Sequence, residues 1–209
     1  MLTRRSAASI ACLLALSLGW SEAGAEPLVL VSPLLDRTDR VDRILESARP
    51  PLAVQRVFIG GKPKRADSWR RVLGDGRPVD LEGARLIVLE TAPAAALASV
   101  RTTMGRSLLE TLPGWVKRGG SLLVIGGWPS QETYPGSPLA AILPATPRRD
   151  PGLKAFRARR SRALTGAVPP GLHVEHVHPT VDISGEVLIR AGDDPFVVRG
   201  EHGDGRVLQ

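Results

Sequence analysis

The chemistry open to this chain rests on four histidines and a few residues at the ends of apolar runs. Three of the histidines fall in His173-Val-Glu-His-Val-His178. In extended backbone His176 and His178 point one way, and His173 and Glu175 the other. Two imidazoles on one face, joined by a third ligand such as His202, would make a metal site. The same pattern also describes an exposed edge strand of alternating polar residues, ended by Pro179. No third ligand is fixed by spacing, so no metal or cofactor is expected. Glu90 closes the run Ala84-Arg-Leu-Ile-Val-Leu-Glu90 and stands where an open α/β sheet places its ligand crevice. With His176 or His202 it would supply acid–base or metal-assisted hydrolysis; alone, it would form a salt bridge to a nearby arginine. Ser32, Gly60, Thr91, Gly126, Gly127 and Trp128 rim the same edge by position. Trp128 can stack on a sugar or other planar ligand, or pack beneath the loop that follows it.

The elements that hold these residues alternate strand and helix through the first half. Pro27–Pro33, Ala53–Ile59 and Ala84–Glu90 read as strands. Asp36–Ala48 carries its apolar residues at helical spacing, and one helical turn is expected near Asp67–Leu73. Ala94–Gly105 reads as loop or weak helix. Ser107–Arg118 reads as a helix with a break or restart at Pro113, stopped by Gly119-Gly120. Ser121–Ile125 is apolar without alternation, as in a strand covered on both faces. Beyond it lie a short helical piece at Pro138–Leu143 and short strands at His173–His178, Glu186–Ala191, Phe196–His202 and from Arg206 onward. Asp204-Gly205 marks a hairpin turn between the last two. The closing strand is brief for its partner, which implies either a sheet edge or a chain truncated at its C-terminus.

Residues 1–25 read as a cleaved secretory signal: Arg4-Arg5, an apolar run from Ile10 to Leu18, and Ala23-Gly-Ala25 before Glu26. The run is shorter than the ~20 residues that span a bilayer. Ser6-Ala7-Ala8 lacks the apolar pair of a twin-arginine signal, which points to general secretion. The mature domain, residues 26–209, would be periplasmic or extracellular, touching membrane only through its export signal. Cys12 is the chain's single cysteine, so the mature domain has no disulfide and no thiolate nucleophile. The net charge of +7 becomes +6 once Arg4, Arg5 and Glu22 leave. The one basic cluster, Arg148, Arg149, Lys154, Arg157, Arg159, Arg160 and Arg162, is interleaved by a single aromatic, Phe156. It reads as a solvated segment and not as a nucleic-acid surface.

Leu112-Pro-Gly-Trp-Val-Lys-Arg-Gly-Gly-Ser-Leu-Leu-Val-Ile-Gly-Gly-Trp128, Ser137-Pro-Leu-Ala-Ala-Ile-Leu-Pro144, Gly192-Asp-Asp-Pro-Phe-Val-Val198 and Gly203-Asp-Gly-Arg-Val-Leu208 together resemble class I glutamine amidotransferase-like domains. The resemblance is to the group found in bacterial envelope proteins. It spans roughly residues 27–208 and implies a flavodoxin-like, doubly wound α/β fold: a mostly parallel sheet with an antiparallel C-terminal extension. An active member needs a cysteine on a strained turn, a histidine with a carboxylate, and oxyanion donors. Here the turn after Ile125 has no cysteine, and Glu90-Thr-Ala-Pro93 has no glycine pair. Ser130 in Trp128-Pro-Ser-Gln-Glu132 is not in a Gly-x-Ser-x-Gly elbow. The expectation is a pseudoenzyme that binds a small polar ligand or an envelope protein partner. The hydrolase built on Glu90, and a truncated non-functional remnant, are the alternatives.

Overall fold

The computed structural model describes residues 27–33, 53–60, 71–72, 78–126, 130–149, 162–166, 168, 170–174, 177 and 179–209. The expected signal peptide, the expected helix at 36–48 and the basic residues from Lys154 to Arg160 lie outside them. Among the described residues no helix is long and apolar enough to cross a membrane.

In chain order the strands are β1 (Pro27–Pro33), β2 (Ala53–Gly60), β3 (Arg71–Val72), β4 (Leu86–Glu90), β5 (Ser121–Ile125), β6 (Ala145–Pro147), β7 (Arg162–Gly166), β8 (His173–Val174), β9 (Thr180–Ile183), β10 (Glu186–Ala191), β11 (Asp194–His202) and β12 (Gly205–Leu208). Ten of them form one sheet in the order β3-β2-β1-β4-β5-β12-β11-β10-β7-β8, while β6 and β9 pair separately. Among the described residues the α-helices are α1 (Ala94–Ser99) and α2 (Leu108–Lys117).

This architecture overturns the expected flavodoxin-like, doubly wound, mostly parallel fold. Four ladders of the large sheet are parallel, β2-β1, β1-β4, β4-β5 and β5-β12, and the other five are antiparallel. Strand is the dominant structure among the described residues, with two α-helices between them. The reason lies in what apolar runs can encode: they mark a strand as buried without stating its direction. Antiparallel ladders are five of the sheet's nine, not an appendage. Arg71-Val72, expected in a helical turn, is a strand antiparallel to β2. The final strand is not at an edge either, since β12 runs between β5 and β11.

The two faces of the parallel strands bury different sets of side chains. Val29, Val31, Val57, Ile59, Ile87, Leu89, Leu122, Val124 and Val207 pack with residues of α1 and α2 and with Tyr134, Leu139 and Ile142. Leu28, Leu30, Leu86, Val88, Leu123 and Leu208 form the opposite face, with Ile125, Leu188 and Val197 against them. The period-2 alternation therefore assigns every strand residue to a side.

Helix α2 is the principal cover of the first face. Ser107 is its N-cap and accepts a hydrogen bond from the Glu110 amide at 3.2 Å, with Glu110 in the first turn where a carboxylate suits the dipole. The helix runs through Pro113 without the expected break. The missing donor there costs roughly 3 kcal/mol, and burial of Leu108, Leu109, Leu112, Trp115 and Val116 offsets it. Gly119, at φ +104°, ends the helix. Trp115 donates from Nε1 to the Leu81 carbonyl at 2.8 Å, and its ring lies where a side chain on Gly120 would project.

The β11–β12 hairpin turn docks on the end of this helix. Asp204 N–H donates to the Lys117 carbonyl at 3.0 Å and Arg206 N–H to the Gly120 carbonyl at 3.3 Å. One of the helix's orphan carbonyls is thus satisfied by a distant turn. The positive φ sits on Gly203, at +62°, and not on the expected Asp-Gly pair. Gly205 serves a different need: a Cβ there would fall 1.9 Å from the Val116 carbonyl oxygen. Gly205→Ala is expected to cost about 3 kcal/mol or more by forcing backbone apart. Gly105→Ala, at φ +75° with open space around it, is expected to cost about 1 kcal/mol. Urea denaturation of both variants checks this, and equal losses would show that the turn does not grip the helix.

Candidate functional site

The carboxyl ends of β1, β4 and β5 come side by side. Glu90 is opposite Ile125, Val31 is opposite Leu89, and Ser32 and Gly126 each lie one residue further along. Gly60 ends β2 beside Arg71 of β3. The structure thus brings Ser32, Glu90, Thr91 and Gly126 to one sheet end, with Gly60 one strand further out. It also divides them by face. Ser32 and Glu90 follow the alternation of Leu28, Leu30, Leu86 and Val88, whereas Gly126 follows that of Leu122 and Val124 on the helix-covered side. Gly127 and Trp128 lie outside the described residues.

Glu90 and His202 are not brought together. His202 pairs with Gly205, and the next residue, Arg206, is level with Ser121 at the start of β5. Glu90 is level with Ile125 at its end. At ~3.3 Å per residue the two are separated by about 16 Å along the sheet. His176 and His178 lie outside the described residues. Among the described residues no group of three or more His, Cys, Asp or Glu could hold a metal ion. Arg162, the described end of the basic segment, pairs with Asp194.

Thr91 follows β4 at φ +46°, the one described non-glycine residue with positive φ. A β-branched residue there is a strained outlier, of the kind that concentrates at functional sites. It is held by its own N–H donating to the Ile125 carbonyl at 3.0 Å. Substitution by glycine relieves the strain. Thr91→Gly is expected to raise stability by about 1 kcal/mol despite the more flexible unfolded chain, measured by urea denaturation.

Sequence reasoning missed the polar residues beside this turn. A short 3-10 helix, Gln131–Thr133, sits under the end of β5. Seven described polar or charged residues are buried: Ser32, Thr102, Ser107, Thr111, Ser130, Gln131 and Glu132. Thr102, Ser107 and Thr111 are accounted for by local bonds in and before α2. Ser130, Gln131 and Glu132 follow the end of β5, with Gln131 against Gly126, while Ser32 is at the end of β1 on the opposite face. Ser130 N–H donates to Glu132 Oε2 at 3.0 Å. Thr133 Oγ1 donates to the Ser130 carbonyl at 2.6 Å and accepts from Ala94 N–H at 2.8 Å. These bonds tie the 3-10 turn to the start of α1. Nothing in the run Ser130-Gln-Glu-Thr-Tyr134 distinguishes it from a solvent-facing loop; only the packing of α1 and the end of β4 against it makes it buried.

Tyr134 completes the anchor by donating to the Ala92 carbonyl at 2.6 Å. Full burial, with the Glu132 carboxylate adding to it, holds its hydroxyl well above the usual phenol range. A raised folded-state pKa means that the stability carried by the protonated phenol is complete below about pH 10 and is lost as pH rises further. Tyr134 is the chain's only tyrosine, so absorbance near ~295 nm reads this group alone. The phenolate signal is expected to appear only as the protein unfolds in alkali. Tyr134→Phe, which leaves the Ala92 carbonyl without its donor, is expected to cost about 1–3 kcal/mol.

Comparison with known proteins identifies a fold and no activity. No family model matches the chain, and no curated protein does. Two solved structures share its fold. Cytoplasmic protein STM3548 from Salmonella typhimurium is 18% identical over 86% of this chain and 85% of its own, with a TM-score of 0.55. Cytoplasmic protein STM1381 from Salmonella typhimurium LT2 is 17% identical over 87% and 86%, with a TM-score of 0.53.

Proposed function

We propose that this chain is an exported binding module for a small polar ligand, without glutaminase chemistry. The observation that carries this reading is the gathering of Ser130, Gln131 and Glu132, all buried, past the end of β5 and against Gly126. Buried polar groups are costly to keep, and here they lie beside a strained residue of the kind that concentrates at functional sites. The strands around it supply no thiol: the single cysteine, Cys12, falls within the leader. Hydrolysis by Glu90 with His202 has no geometric support, given their opposite ends of the sheet. Export follows from the leader's basic, apolar and small-residue segments.

The test is a thermal-shift screen of sugars, amino acids, nucleotides and divalent cations on the mature chain, run beside an assay of ammonia release from glutamine. One polar class is expected to raise Tm by about 2–4 °C, as saturating binding does for a domain of this size. Gly126→Val is expected to abolish that shift by displacing the Gln131 amide, which a Cβ at this position meets at 2.8 Å, while leaving the circular dichroism spectrum unchanged. Ammonia release above background would overturn the reading, as would a screen without a shift.

A further inference from the structure

The amide of Gln131 has a defined polarity, and its fixed end faces the site. Its polarity is set by a group whose role cannot be reversed. Ala145 N–H is a donor, and it reaches Gln209 Oε1 at 3.2 Å. That fixes which end of the Gln209 amide is oxygen, so its Nε2 is the donor directed to Gln131 Oε1, also at 3.2 Å. Gln131 is oriented in turn: its oxygen is taken, and its Nε2 points the other way. That nitrogen is the atom a Cβ on Gly126 would meet first, at 2.8 Å, with Oε1 farther off at 3.7 Å. Gln131 is only 6% exposed; its Nε2 donates no hydrogen bond among the described residues and is not one of the fully buried atoms left without a partner, so it is reachable from solvent. Gly126 is exposed and has no side chain to cover the amide.

We infer that Gln131 Nε2 is a ligand-binding donor for an acceptor oxygen of an uncharged ligand, a carbonyl or hydroxyl, and that Gln209 is its positioning residue. An anion is disfavoured, because the Glu132 carboxylate is adjacent in the chain and Glu90 lies at the end of the neighbouring strand. Gln209 suits the role because its backbone is locked: its N–H donates to the Val198 carbonyl at 2.9 Å, and its carbonyl accepts from Val198 N–H at 2.8 Å. The relay joins the end of β5, the start of β6 and the strand pair β11–β12. This inference rests on the binding-module reading and specifies its ligand.

The experiment uses N,N-dimethylacetamide, a neutral acceptor with no donor, and methylammonium, a donor with no acceptor. Each is titrated into the mature chain while the Gln131 side-chain amide signals are followed by nuclear magnetic resonance. N,N-dimethylacetamide is expected to shift those signals saturably, and methylammonium is not. Gln131→Met is expected to weaken dimethylacetamide binding about tenfold, the loss of one hydrogen bond at the upper end of its range. Gln209→Glu can still accept from Ala145 but cannot donate to Gln131, so the Gln131 amide turns over. Its preference is then expected to reverse toward methylammonium, which loss of packing alone would not produce. Binding that survives both substitutions unchanged would overturn the role of Gln131 and leave the binding module standing. Failure of dimethylacetamide to perturb Gln131, in a chain whose Tm does respond to a ligand of the broader screen, would overturn it equally. Failure of every compound in both experiments would overturn the binding-module reading and this inference with it.

Discussion

The contact that the architecture depends on is the seating of the β11–β12 turn against the C-terminal end of α2. There a helix, the strand it feeds, and a turn some eighty residues later meet backbone to backbone. The meeting works because three glycines remove side chains from the junction: Gly120 beneath the Trp115 ring, and Gly203 and Gly205 against Lys117 and Val116. Close approach lets two amides of the hairpin reach the Lys117 and Gly120 carbonyls. Burial of those carbonyls without partners would cost about 1–3 kcal/mol each. The same approach sets the register of β12 on β5, with Arg206 opposite Ser121.

From that register the rest follows outward. β12 is parallel to β5 on one side and antiparallel to β11 on the other, so it is the joint between the two halves of the sheet. The antiparallel ladders β11-β10 and β10-β7 inherit their position from it. The joint also carries Val198 and Gln209 into exchange of both backbone hydrogen bonds, and this brings a C-terminal side chain under the 3-10 turn. The polar cluster at the carboxyl end is therefore positioned by the antiparallel half as much as by the parallel one.

Much of the local structure was legible in the sequence. The runs 27–33, 121–125 and 186–191 are strands with the expected bounds, because uninterrupted apolar stretches flanked by Pro or Gly have few other uses. The helix read over Ser107–Arg118 is α2, with Ser107 as its N-cap. Strand direction was not legible, since burial on two faces produces the same apolar run whether neighbours are parallel or antiparallel. The stretch 94–105 read as loop or weak helix, and it is both: a helix of six residues gives way to bridges of Arg101 with Ser107 and Thr102 with Val79. Of the candidate site, the sheet end and its residues Ser32, Glu90, Thr91 and Gly126 were placed by position alone. The division of these residues between two faces needed the register of every strand. The Gln209–Gln131 link spans 78 residues and leaves no periodic trace.

The interior place of β12 has a bearing on how the molecule is made. Until the segment beginning at Gly205 leaves the ribosome, β5 offers a row of unpaired amides and carbonyls next to three strands already able to pair. Exposed edges of this kind recruit other chains. A chain that reached its folding compartment in one unfolded length would present β5 and β12 together, and the vulnerable interval would shrink to the time of a single long-range encounter.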